Sequence, residues 1–138
     1  MSVWHEGIYG NDDAQDFLGI LAQIYEESED LDSFLTLARE HPFNRFAECR
    51  FVLADLEADL VGDVDYYDDV LSQIEAELTP IALSRWSNPS RREEVLKGFR
   101  TSLEQRVSCY RPDDGLPFDE VLNWMIAKQQ APVFESVA

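Results

Sequence analysis

The sequence predicts an all-α fold, a single compact bundle of five to seven helices behind an extended amino-terminal lead, and three observations carry that prediction. Apolar residues recur at intervals of three and four along every long segment, the period of one helix face. No run alternates with period two, and no Asn-Gly pair offers a tight hairpin turn. The 138 residues are 45% hydrophobic and include 8 Phe, 5 Tyr and 3 Trp, a ring content that a disordered acidic chain lacks. A chain of this length buries roughly 68% of its unfolded surface, enough for one self-sufficient core. One domain over residues 1–138 is expected, with 1–10 as an amino-terminal anchor and 131–138 as a tail.

The first helix follows Asn11, with Ala14, Phe17, Leu18, Leu21, Ile24 and Tyr25 on its inner face. Asp30 caps a second helix whose Leu31, Phe34, Leu35 and Ala38 face inward, and His41-Pro42 stops it. A third carries Phe46, Cys49, Leu53, Leu56 and Leu60, widened by Ala47, Ala54 and Val61, and Gly62 is its natural stop. The fourth keeps Tyr67, Val70, Leu71, Ile74, Leu78 and Ile81 in phase but contains Pro80, which costs about 3 kcal/mol in a helix interior. A kink, or a break with Thr79 capping a new short helix, is expected there. Ser90 and Glu93 read as a capping box for a fifth helix along Val95, Leu96, Phe99, Leu103 and Val107. After the loop RPDDGLP at 111–117, a sixth uses Val121, Leu122, Met125 and Ile126.

The formal charge of −17 is unevenly placed. Residues 1–38 hold nine acids and no Lys or Arg, residues 39–78 hold eleven acids against Arg39, Arg45 and Arg50, and residues 79–138 are neutral. Such a field repels nucleic acid and anionic membrane and steers a basic partner toward the amino-terminal half. Neither direct nucleic-acid binding nor membrane insertion is expected. The basic face of the fifth helix, Arg91, Arg92, Lys97, Arg100 and Arg106, is interleaved with Glu93, Glu94 and Glu104 and is expected to pair with the chain's own acidic half. With no apolar run of eighteen residues and no signal-like start, a soluble, cytoplasmic chain is expected.

No segment carries a catalytic signature. Cys49 and Cys109 lack metal-ligand spacing and read as free thiols, and Cys49 falls on an apolar stripe. His5 and His41 are the only imidazoles, and no nucleophile motif accompanies either. Gly7 and Gly10 lack phosphate-binding spacing. Asp12 and Asp16 stand one turn apart, and Asp63, Asp65, Asp68 and Asp69 form a second acidic cluster; neither completes a coordination shell, and acids in a first helical turn complement the helix dipole. No catalytic residue, metal or cofactor is assigned.

The opening stretch reads as an anchor: Asn11 satisfies the first-turn amides, glycine permits the turn back onto the helix, and Trp4 and Tyr9 pack beside Phe17 and Leu21. A competing reading has Trp4, His5, Tyr9 and Asn11 lining a small pocket walled by Asp12 and Asp16. The pattern W-x-x-G-x-Y-x-N-D-D-A-x-D-F, residues 4–17, resembles the bacterial family catalogued as domain of unknown function 4259. Trp4, Gly7, Tyr9, Asn11, Asp12, Ala14, Asp16 and Phe17 match it in kind, while His5 and Phe17 replace a glycine and a tryptophan. The resemblance implies a helical fold and this helix start, and supplies no catalytic residue.

These features favour a non-enzymatic acidic protein-binding module, of the kind in which an immunity protein occupies a basic toxin or nuclease, with Asp63, Asp65, Asp68 and Asp69 on the binding face. Two alternatives stand beside it: a nucleic-acid mimic that blocks a DNA-binding protein, and a small-ligand or metal-dependent domain centred on the amino-terminal motif.

Overall fold

The structure is a computed structural model that describes the backbone of residues 6–111, 113 and 115–137, and side chains through residue 129. Trp4 and His5 lie outside the described residues. Among the described residues the chain forms seven α-helices and no strand: α1 (Asp12–Glu27), α2 (Leu31–Glu40), α3 (Ala47–Leu60), α4 (Tyr67–Glu77), α5 (Pro80–Leu83), α6 (Pro89–Ser108) and α7 (Val121–Val137). The last of these takes in residues 131–137 of the carboxy-terminal stretch. 3₁₀ turns at Pro42–Arg45 and Phe118–Glu120 lead into α3 and α7.

The helix starts follow local chemistry. Asn11 Oδ1 accepts the Ala14 N–H at 2.8 Å and Asp30 Oδ1 accepts the Ser33 N–H at 2.8 Å, each satisfying an amide that the first turn leaves unpaired. Pro80 does break the fourth segment: α4 ends at Glu77, and Thr79 Oγ1 accepts the Ala82 N–H at 3.3 Å to open α5. Gly62 ends α3 at φ 63°, where its N–H and that of Val61 both donate to the Glu57 carbonyl, at 3.1 and 2.9 Å.

The architecture rests on α3. Its Cys49, Val52, Leu53, Leu56 and Leu60 pack against α1, α2, α7 and Tyr9 of the lead in one cluster. Its Phe51, Ala54 and Ala58 pack against α4, α5 and α6 in a second. A helix apolar on both sides belongs in the middle, and α3 is flanked by a layer on each face. The single stripe expected from Phe46, Cys49, Leu53, Leu56 and Leu60 is therefore only half of the buried surface.

Three local expectations are corrected. Phe46 precedes α3, in extended backbone, and is 41% exposed rather than on the inner stripe. The fifth predicted helix is α6, and it starts at Pro89 with Asn88 Oδ1 accepting the Arg91 N–H at 3.1 Å. Asn followed by Pro is the stronger start, since Pro has no N–H to leave unpaired and its φ is already helical, so Ser90 and Glu93 form no capping box. Ile81 is 78% exposed, because the break at Pro80 resets the helical phase.

Two glycines separate conformational need from mere tolerance. A Cβ at Gly62 would stand 1.9 Å from Tyr110 Cγ, in addition to the left-handed backbone, whereas a Cβ at Gly19 in α1 meets nothing within 4 Å. Gly62→Ala is expected to destabilise the fold by at least ~2 kcal/mol from strain and clash. Gly19→Ala should stabilise it by about 0.5–1 kcal/mol. Urea denaturation of both variants checks the opposite signs.

Candidate functional site

Helix α3 carries Glu48, Asp55 and Glu57 as buried carboxylates and Asp59 as a half-buried one, and Arg39, Arg92, Arg106 and Lys128 are drawn onto them. Arg92 of α6 is fully buried at 0% exposure and its Nη2 lies 2.5 Å from Glu48 Oε1. Its Nη1 donates to the Glu6 carbonyl at 3.0 Å, and its guanidinium stacks on Trp86 with Cζ 3.9 Å from the ring centroid. Asn11 Nδ2 donates to the other oxygen of Glu48 at 3.1 Å. One side chain thus ties α6 to α3 and to the amino-terminal lead.

The sequence-predicted pocket residues separate at this point. Asn11 and Tyr9 turn inward, Asn11 as cap and Glu48 partner and Tyr9 as a buried ring edge-on to Trp124, centroids 6.1 Å apart. The Tyr9 hydroxyl donates to Asp55 Oδ2; burial first, and then the Asp55 charge, push its pKa well above the ordinary tyrosine value. Asp12 and Asp16 are exposed on α1. The structure does not bring these four into one wall.

Asp55 also meets Arg106 at 2.6 Å and Lys128 at 3.7 Å, and Asp59 accepts from Arg106 Nη1 at 2.9 Å and Trp124 Nε1 at 2.8 Å. A cavity of about 440 Å³ beside this network is lined by Asp59, Gln105, Arg106, Cys109, Tyr110 and Arg111. Its inner arginine is already bonded to both aspartates. Cys49 is buried, and burial pushes its thiol pKa up to about 12, which keeps it protonated at neutral pH. Among the described residues no three His, Cys, Asp or Glu side chains converge as a metal-ion site, and no helix is long and apolar enough to cross a membrane.

The second predicted cluster lies on the α3–α4 loop and the first turn of α4. Asp63, Asp68 and Asp69 are exposed. Asp65 is half-buried, 3.6 Å from Arg39 Nε, and its N–H donates to Glu57 Oε2 at 3.2 Å. Glu57 in turn holds Arg39 Nη2 at 2.5 Å, so Arg39 fastens the end of α2 to this loop. Between Asp65 and Tyr67, Tyr66 takes a left-handed backbone, φ 52° and ψ 45°, with its side chain 69% exposed. That conformation costs roughly 1–2 kcal/mol for a residue other than glycine.

Next to the loop stands an aromatic turn that the sequence reading missed as surface. Phe43 is 39% exposed, and its ring meets Phe46 edge-on at 5.9 Å and His41 at 5.3 Å. Turn and loop meet at Asn44, which with Tyr66, Asp65 and Glu57 lines a cavity of about 20 Å³, the size of one water. Asn44 Oδ1 is buried there without a hydrogen-bond partner among the described residues. The signal available in the sequence was Pro42-Phe43, a proline-started turn with two rings three residues apart.

Comparison with protein-family models, curated proteins and solved structures finds no match to this chain.

The buried carboxylates make stability pH-dependent in a defined direction. Burial raises the Glu48 pKa against the pull of Arg92, and raises that of Glu57 against Arg39 and the Asp65 N–H. The folded chain therefore holds protons that the unfolded chain has already released, and the resulting stability is present below the ordinary carboxylate range and lost as pH rises through the raised values. The urea midpoint is expected to be higher at about pH 5 than at about pH 7. Glu57→Gln should shrink that difference, and a midpoint that climbs with pH in this window would contradict the assignment.

Proposed function

We propose that the chain is a non-enzymatic acidic protein-binding module that occupies a basic surface on its partner, in the manner of an immunity protein on a toxin or nuclease. The observation that carries this reading is how the charges are spent. Arg39, Arg92 and Arg106 are drawn onto the buried or half-buried carboxylates of α3, and Arg100 onto Glu75. Among the described residues, Asp12, Asp13, Asp16, Asp63, Asp68 and Asp69 are exposed and form no ion pair. A surface left with that sign attracts a basic protein and accelerates its encounter.

The buried carboxylates do not favour an enzyme. Glu48, Asp55 and Glu57 are each held by a guanidinium, which fastens elements together and engages the groups that general acid–base chemistry would use. The resemblance of residues 4–17 to the domain of unknown function 4259 family is a proposal of kinship and adds no activity.

Association measured by surface plasmon resonance against a basic ribonuclease at two ionic strengths tests the reading. Reversing the exposed Asp63, Asp68 and Asp69 to Lys, and leaving Asp65 to its contact with Arg39, is expected to slow association by about tenfold or more and to flatten its salt dependence. Reversing the exposed Arg91 and Lys97 should change the rate by less than about twofold. Loss of association confined to the α6 variants would defeat the proposal, as would duplex DNA binding to the wild-type chain in place of competing with it.

A further inference from the structure

The acidic loop borders a surface whose make-up is not that of a purely charged one. Phe43, Phe46 and Tyr66 all stay exposed, at 39%, 41% and 69%, and they sit on two elements that meet at Asn44. Asp63, Asp68 and Asp69 follow or precede Tyr66 by no more than three residues and are exposed with it. Exposed rings and exposed carboxylates on adjoining elements are the ingredients of a protein-binding surface, in which the rings supply the affinity and the charges the approach.

Tyr66 is the informative member. The fold uses a glycine, Gly62, where this loop needs a left-handed residue close to another side chain, since Tyr110 occupies the space that a Cβ would take. Four residues later the backbone is left-handed again, and the residue is a tyrosine pointing into solvent. Neither packing nor any side-chain hydrogen bond among the described residues requires that ring. The left-handed backbone at Tyr66 sets the entry to α4, where its carbonyl accepts the Val70 N–H at 3.0 Å, and it also leaves the ring in solvent, available to a partner.

The surroundings select the occupant. A second copy of this chain brings another −17 to an acidic rim, and nucleic acid brings phosphates; both are repelled. A fully polar basic segment meets the aspartates but leaves three rings in water. Arg45 lies over Phe46 with Cζ 5.2 Å from the ring centroid, a guanidinium seated on one of these rings. We infer that Phe43, Phe46 and Tyr66 form the anchor of a docking surface for a cationic amphipathic segment of a partner protein, whose apolar side packs on the rings and whose Lys or Arg side chains meet Asp63, Asp68 and Asp69. This rests on the acidic-module reading and adds to it the site and the mixed character of the ligand.

Two synthetic peptides of equal length and charge serve as probes, one of alternating Lys and Leu blocks with helical period, the other with every Leu replaced by Ser. Titrated calorimetrically into the whole chain at physiological salt, the Lys/Leu peptide is expected to bind at least about tenfold tighter than the Lys/Ser peptide. Phe43→Ser with Tyr66→Gly should bring the two within about twofold while leaving the Lys/Ser affinity unchanged. Tyr66→Gly alone should keep or raise the melting temperature, because it relieves the left-handed strain, while weakening the Lys/Leu peptide by about threefold or more. Equal binding of the two peptides, or Lys/Leu binding indifferent to Phe43→Ser and Tyr66→Gly, overturns the aromatic anchor alone when Asp63→Asn, Asp68→Asn and Asp69→Asn still weaken both peptides. Absence of binding by either peptide overturns the acidic-module reading as well. A concentration-dependent dimer that Phe46→Ser dissolves would assign the patch to a second copy and also overturn the inference.

Discussion

The ion pair between Arg92 and Glu48 is the constraint on which the rest of this structure depends. Both ends are buried, and the guanidinium is closed in by the Trp86 ring and the Glu6 carbonyl while the carboxylate also takes the Asn11 amide. A buried pair of this kind contributes little net stability, since desolvating two charges offsets most of their attraction. What it contributes is placement. Arg92 Nη1 and Nη2 meet their acceptors only when α6, α3 and the amino-terminal lead are in register, and any slip strands a charge in the core; its buried Nε has no partner among the described residues.

From that register the charge distribution follows. A central helix with carboxylates on both flanks requires cations from its neighbours, and Arg39, Arg92 and Arg106 come from α2 and α6 to meet it. Those cations are then lost to the surface, and Asp12, Asp13 and Asp16 of α1 with Asp63, Asp68 and Asp69 beside the α3–α4 loop face solvent uncompensated. Stability and recognition are thereby linked: the arginines that hold the layers together are the ones withheld from the partner-facing side.

The helices were legible in the sequence because their periodicity and punctuation agree. Asn11, Asp30, Thr79 and Gly62 each act where their side-chain or backbone chemistry predicts. The pairing of Arg92, Arg100 and Arg106 with the acidic half was legible as well, from the overall imbalance, whereas Arg91 and Lys97 pair with Glu94 and Glu93 of α6 itself. The inward turn of Glu48, Asp55 and Glu57 was not, because an acid on a helix is normally solvated and its burial depends on a partner on another element, Arg92 for Glu48, Arg106 for Asp55 and Arg39 for Glu57. For the same reason Tyr9 read as a pocket or anchor residue without its Asp55 partner, and Phe46 read as core until the turn before α3 placed it at the surface. Tyr66 gave no signal at all, since left-handed backbone at a tyrosine is imposed by tertiary context.

A double-mutant cycle at the central pair tests this account most directly, with Arg92→Met, Glu48→Met and the two combined compared by urea denaturation at neutral pH. Each single replacement leaves one buried charge without its partner and is expected to cost about 3–5 kcal/mol, whereas the double replacement, apolar on both sides, should cost far less than the two together. Single costs that simply add, within about 0.5 kcal/mol, would show that Arg92 and Glu48 act independently and would contradict the placement of the helices by this pair.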